Sequence, residues 1–170
     1  MSKVTMDEFV STKDPLLDDN FEFIIPNPPV GGSGYARVLR LHCKTGVKPG
    51  STIDEVLKEA FGYQLRFAGR KIFSGTMSTE YNENYEMAVY KPLEDWHQKI
   101  RNTKTALGVF KAEYAVKAVM RLFKQDGAVA AEYDIMGVWP KVVPDLQLSG
   151  TGQAVPVSIE WSFDYAIRTR

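Results

Sequence analysis

The chain is expected to be mainly β: an antiparallel β-sandwich or partial barrel with one flanking α-helix. Three observations carry this expectation. Val155 to Tyr165 alternates apolar and polar residues without a break. Several other short runs rich in Val, Leu, Ile and Tyr are separated by Gly, Pro and Asn, and one stretch, Pro92 to Arg101, has a firm helical pattern. In the alternating run Val155, Val157, Ile159, Trp161, Phe163 and Tyr165 point one way, and Pro156, Ser158, Glu160, Ser162 and Asp164 the other. Each apolar side chain contributes about 1.5–3 kcal/mol when fully buried, and a one-residue slip would turn all of them to water.

Read in order, residues 1–20 are polar and acidic and form an N-terminal arm. Phe21 to Ile25 is a short strand stopped by Pro26-Asn27-Pro28-Pro29. Gly31 to Gly34 is a turn leading into a strand from Tyr35 to Cys43, and Thr45 to Gly50 is a loop. Thr52 and Glu55 make a capping box, with Ile53, Val56, Leu57 and Ala60 at helical spacing, so 52–60 reads as a short helix or an extended inter-subunit loop. Tyr63–Phe73 and Thr76–Lys91 read as strands, broken at Gly69, Gly75 and Asn82 to Asn84.

Pro92 suits a first helical turn, Glu94 and Asp95 complement the positive end of the dipole, and Lys99 and Arg101 the negative end. Leu93, Trp96 and Ile100 share the face expected to pack on a sheet. Tyr114 to Lys124 is a strand, Gln125-Asp126-Gly127 a hairpin turn, and Ala130 to Val138 its partner, with Trp139 held extended by Pro140. Lys117, Arg121 and Glu132 lie on the polar face of this hairpin.

At 170 residues, with 44% hydrophobic and 25% charged residues, the chain suits a single domain spanning 1–170. Lys plus Arg equals Asp plus Glu at 21 each, so no net field draws it to nucleic acid or an anionic membrane. A single cysteine, Cys43, excludes an internal disulfide framework and fits a reducing compartment. No apolar run is long enough to span a bilayer, and acidic Asp7 and Glu8 stand where a signal peptide needs an apolar stretch.

The residues offer no constellation for catalysis. His42 and His97 have no carboxylate or cysteine at ligand spacing, and adjacent His42 and Cys43 point oppositely on a strand, so no metal site is expected. Gly46 to Thr52 lacks the Gly-Lys-Ser/Thr ending of a phosphate loop, and Gly31 to Gly34 and Gly150-Thr151-Gly152 read as turns. Tyr63, Tyr81, Tyr85 and Tyr90 lack the interleaved basic residues of an oligonucleotide groove. Neither an enzyme nor a cofactor is expected.

One pattern is more specific. Gly137-Val138-Trp139-Pro140, then Val143, Leu146 and Leu148, then a closing strand bearing Trp161, Phe163, Asp164 and Tyr165, resembles the C-terminal signature of tail tube proteins from contractile-tailed bacteriophages. The resemblance runs from Phe21 to Tyr165 and is closest from Tyr114 onward. It departs in a longer arm, in 74–84, which looks like an insertion, and in Ala166 to Arg170, which lacks an aromatic finish.

The resemblance implies a protomer that joins five neighbours in a hexameric ring with a continuous ring barrel. Stacked rings would form a hollow tube inside a contractile sheath, a virion tail tube assembled in the host cytoplasm, through which DNA is ejected without sequence-specific binding. Implied partners are further copies of itself and the tail sheath, tape-measure and baseplate proteins, with no membrane. Candidate assembly elements are the arm 1–20 and the segments 44–62 and 74–84. The same reading extends to the inner tube of a bacterial contractile secretion or tailocin particle. From another class, a β-barrel carrier of a small apolar ligand would also account for the strands and aromatics.

Overall fold

A computed structural model describes residues 16–148 and 153–170. Nine strands and three helices are described in the order β1 (Phe21–Ile24), α1 (Gly32–His42), β2 (Cys43–Gly46), β3 (Ser51–Ala60), β4 (Tyr63–Phe73), β5 (Thr76–Asn82), α2 (Tyr90–Ile100), α3 (Lys111–Tyr114), β6 (Val116–Phe123), β7 (Val129–Val142), β8 (Pro156–Ser162) and β9 (Tyr165–Arg168). The main sheet runs β1-β6-β7-β8-β5-β2, with β9 also on β7, and every pairing is antiparallel.

The long strand β7 makes a sandwich of this sheet. Up to Val138 it pairs with β6 on one side and β9 on the other; from Trp139 onward it pairs with β8. One layer is therefore β1-β6-β7-β9 and the other β7-β8-β5-β2, and β1 comes back against β2. The expected mainly β sandwich is the observed architecture.

The core between the layers is built from alternate strand positions: Phe23, Met77, Tyr81, Ala118, Met120, Ile135, Val157, Ile159 and Trp161 are buried. Trp161 sits at its centre, 5.6 Å from Trp96 and 6.3 Å from Phe23 between ring centroids. Its indole N–H donates to Thr79 Oγ1 at 2.7 Å, which satisfies both polar groups away from water.

Several elements differ from the expectation. Tyr35 to Cys43 is not a strand: Gly32–His42 is helix α1, because Tyr35 and Leu39, one turn apart, are its buried residues and Arg37 and Arg40 face outward. The Tyr35 hydroxyl ties the helix down by donating to the Val89 carbonyl at 3.1 Å. The 52–60 segment is not a helix but strand β3, paired with β4 along its whole length except for an irregularity between Ile53 and Glu55. A helix there would have needed a core to cover its apolar stripe, whereas pairing satisfies the backbone without one.

The 74–84 segment is not an inserted loop. Thr76–Asn82 is β5, hydrogen-bonded to β8 and β2 and buried at Met77, Thr79 and Tyr81. The closing alternation also stops early: β8 ends at Ser162, the chain bends at Phe163 and Asp164, and β9 restarts on β7. Tyr165 is consequently 43% exposed instead of facing the core with Trp161. Residues 1–15 of the arm and the Gly150-Thr151-Gly152 turn lie outside the described residues.

Candidate assembly surfaces

The signature residues meet at one corner. Gly137 has φ +72°, a conformation that costs a side-chain-bearing residue about 1–2 kcal/mol. The position a Cβ would take there lies 2.1 Å from Asp164 Oδ2, so the Asp164 carboxylate fills the space that glycine leaves. Asp164 N–H donates to the Met136 carbonyl at 2.9 Å, and Lys111, in α3, donates to both carboxylate oxygens. Gly137 and Asp164 are thus two halves of one device, which bends β7 and the β8–β9 strand together.

Trp139 packs edge-on against Tyr114 at 5.7 Å, and Pro140 is buried opposite Trp161 in the β7–β8 pairing. Phe163 is buried with its ring edge-on to Phe73. Val143 and Leu146 pack partly on the core, while Leu148 is 80% exposed and does not join them. The Tyr90 hydroxyl holds the intervening segment by donating to the Pro144 carbonyl.

Of the expected helix face, Leu93 and Trp96 are buried and Ile100 packs on the core from its rim. Trp96 donates its indole N–H to the Tyr114 carbonyl at 3.0 Å, linking α2 to α3. The anchor of α2 was invisible in the sequence. Glu83 accepts N–H bonds from Asn84, Val89 and Tyr90, capping the orphan donors at the helix start. Its only trace was a carboxylate at the end of a strand shortly before Pro92.

The polar face of β1, β6 and β7 is self-neutralised. Arg121 is bonded to Glu132 and lies near Glu22; Arg40 of α1 reaches Glu22; and Lys117 pairs with Asp134. The Glu132 hydrogen bond raises the Arg121 guanidinium above its ordinary pKa.

The hairpin β3–β4 stands apart. It forms its own two-stranded sheet and, among the described residues, has no strand pairing to the sandwich. On one face of its outer half Val56 lies opposite Phe67, Lys58 opposite Leu65 and Ala60 opposite Tyr63; the other carries Glu55, Leu57, Glu59, Gln64 and Arg66. At the tip Phe61 is 100% exposed and Tyr63 75%. A two-stranded ribbon with both faces wet is marginal alone, and this one leaves several large apolar side chains in water.

Free strand edges complete the inventory. Among the described residues β1, β9 and β2 each pair on one side only, as does the Trp139–Val142 end of β7. Such edges template pairing with another chain.

Residues considered for chemistry are accounted for structurally. His42 Nδ1 lies 2.9 Å from the Asn82 carbonyl at the end of α1. Cys43 faces Tyr81 across the β2–β5 pairing, and burial pushes its thiol up to about 11, away from thiolate reactivity. Gly46 to Thr52 joins two strands, so no helix N-terminus faces that loop. Among the described residues no group of three His, Cys, Asp or Glu could hold a metal, and no helix is long and apolar enough to cross a membrane.

Comparison with known proteins adds the family. The fold is similar to the cap of the anti-feeding prophage, a tube-terminating cap, at 9% identity and TM-score 0.68, covering 94% of this chain and 93% of that one. It is similar to a chain of the PVC sheath-tube complex, an extracellular contractile injection system in the extended state, at 11% identity and TM-score 0.61, covering 98% and 99%. It is also similar to the SPP1 tail tube at 12% identity and TM-score 0.52, covering 91% and 78%. No curated protein matches by sequence. The family model described as phage tail tube protein matches residues 20–168, from the start of β1 to the end of β9. This chain, with its shared bent strand, open edges and projecting hairpin, belongs to the phage tail tube protein family.

Proposed function

We propose that copies of this chain pair edge to edge into hexameric rings and that the rings stack into a hollow tube within a contractile sheath. The tube conducts DNA from the particle to the host, and the chain contributes no catalysis and no cofactor. The family match over 20–168 carries the reading. The geometry supports it: unpaired edges suit copy-to-copy strand addition, which removes them. In this reading the paired charges of Arg121, Glu132, Lys117 and Asp134 face the bore, where a self-neutralised lining lets a polyanion slide. The sheath, tape-measure and baseplate proteins are its partners in the particle, and assembly takes place in the host cytoplasm.

Negative-stain electron microscopy of the purified protein tests this. Rings or hollow rods of uniform width are expected as concentration rises; dispersed single molecules at millimolar concentration would refute it. The tube of a bacterial contractile secretion or tailocin particle would use the same edges with another payload. Nucleic acid in the isolated particle distinguishes the two.

A further inference from the structure

We propose that the loop 101–110 of one copy docks into a groove at the far end of a second copy, between the base of the N-terminal arm, the end of α1 and the β6–β7 turn. The proposal rests on the reading that copies of this chain self-assemble, and it names the two surfaces of one contact between them.

The loop is built to hold its shape. Every backbone N–H from Asn102 to Leu107 has an acceptor. Asn102 donates to the Leu107 carbonyl, Thr103 to Gln98 Oε1, Lys104 and Thr105 to Asn102 Oδ1, Ala106 to the Asn102 carbonyl and Leu107 to Thr105 Oγ1. Gln98 Nε2 closes the frame by donating to Thr103 Oγ1 at 2.7 Å. Ala106 is held at φ +56°, a conformation unfavourable to a side-chain-bearing residue. This frame presents Leu107, 73% exposed, and Phe110, 84% exposed, to water. A loop already ordered in the free chain loses little entropy on docking.

Placement follows from β6. The loop leads through α3 into Val116, and Lys99 donates to the Pro29 carbonyl, beyond the end of β1 that lies opposite Val119. The groove lies at the other end, where Phe123 donates to the Asn20 carbonyl and Arg40 reaches Glu22. Eight strand residues, roughly 25 Å, separate the two surfaces. A meeting between them joins unlike patches of two copies, which is a heterologous contact.

The two surfaces match in charge and in apolar character. Lys99, Arg101 and Lys104 carry three positive charges, with no acidic residue from 99 to 110. Among the described residues Arg101 and Lys104 make no ion pair. The groove has a volume of about 520 Å³. Around it Asp18, Asp19 and Asp126 outnumber Lys124, while Arg40 and Glu22 pair with each other. Leu41 in its lining is 65% exposed, and Leu16 and Leu17, just before it in the chain, are 57% and 41% exposed. Leu107 and Phe110 pack against these leucines as Arg101 and Lys104 meet Asp18 and Asp19.

The test exchanges the charges. Arg101→Glu with Lys104→Glu, and separately Asp18→Lys with Asp19→Lys, should each raise the protein concentration needed for assembly at least tenfold, because like charges then face one another. The variant carrying all four changes should assemble near the wild-type threshold. All four positions are exposed, and rescue by the fourfold variant separates docking from any loss of stability. Pairs that assemble as wild type, or a fourfold variant no better than either pair, would overturn the docking and leave the tube reading standing.

As a second measurement, Leu41→Cys with Leu107→Cys, in a Cys43→Ala background, is treated with a short bismaleimide after assembly and run on a denaturing gel. A ladder of dimer, trimer and higher species is expected, while each single cysteine stops at dimer. Rods of wild-type width without a ladder would likewise overturn the docking. Absence of assembly by the wild type itself would overturn both readings.

Discussion

Substituting Gly137 by alanine tests the corner that bends both β7 and its β8–β9 partner. Two costs are predicted. Alanine at φ +72° loses about 1–2 kcal/mol to backbone strain. Its Cβ would also lie 2.6 Å from Asp164 Cγ and 2.1 Å from Oδ2, so the carboxylate must rotate away or the bend must open. Overpacking of this kind costs about 1–3 kcal/mol. The Lys111–Asp164 pair, with both side chains about half exposed, adds little. The total is about 2–5 kcal/mol, a large share of the stability of an ordinary domain.

Gly75 provides a matched control: its φ is also +72°, and a Cβ there would meet nothing within 4 Å. Gly75→Ala should therefore show the strain alone. Urea unfolding followed by the fluorescence of Trp96, Trp139 and Trp161 reads all variants. Gly137→Ala should lose more than Gly75→Ala, and adding Asp164→Ala should restore the difference. Equal losses at the two glycines, or a double variant less stable than Gly137→Ala, would refute the account of the corner.

Replacing Glu83 by alanine should cost about 1.5–3 kcal/mol by leaving the Val89 and Tyr90 donors of α2 unpaired, with calorimetry showing the lowered midpoint. Trp161→Ala should cost about 3–5 kcal/mol by opening a cavity between Trp96 and Phe23, whereas Trp161→Phe should cost only about 1–3 kcal/mol for the lost bond to Thr79; comparable losses in denaturant titrations would contradict that division. The Cys43 thiol, raised from 9.0 to about 11, should react with iodoacetamide at pH 8 about 100-fold more slowly than a small-molecule thiol of ordinary pKa. Burial raises the Tyr35 and Tyr81 phenols as well, so the folded state keeps protons that the unfolded chain releases. Stability should therefore be unaffected by these groups below pH 9 and fall as pH rises, from 9 for Cys43 and from 10 upward for the two tyrosines, and a flat alkaline limb in urea titrations would count against it.

The elements legible in the sequence were those whose pattern and packing agree. Val157, Ile159 and Trp161 alternate because β8 faces a core on one side, and Leu93 and Trp96 repeat one turn apart because α2 lies on that core. Misreadings arose where a pattern suited two conformations. Ile53, Val56, Leu57 and Ala60 carry helical spacing, yet their backbone groups are satisfied by β4, a partner whose identity no local window contains. Tyr35 and Leu39 had the correct spacing for α1, masked by the neighbouring Val38 and Leu41, which read as strand. The strand expected from Thr76 is β5, ending at the Asn82 break; the sequence did not show that polar Thr79 takes a core position, where Trp161, eighty-two residues away, donates to it. The Gly137–Asp164 contact explains two signature residues at once, but their spacing in sequence gave no hint that they touch.

Strand β7 is stitched into both layers of the sandwich, and this has a mechanical consequence. Neither layer can peel away without tearing the hydrogen bonds of the other's longest member, so an axial pull on one face is delivered to the whole molecule. The amides of β7 should then be the last to exchange with deuterium, released only when the entire domain opens.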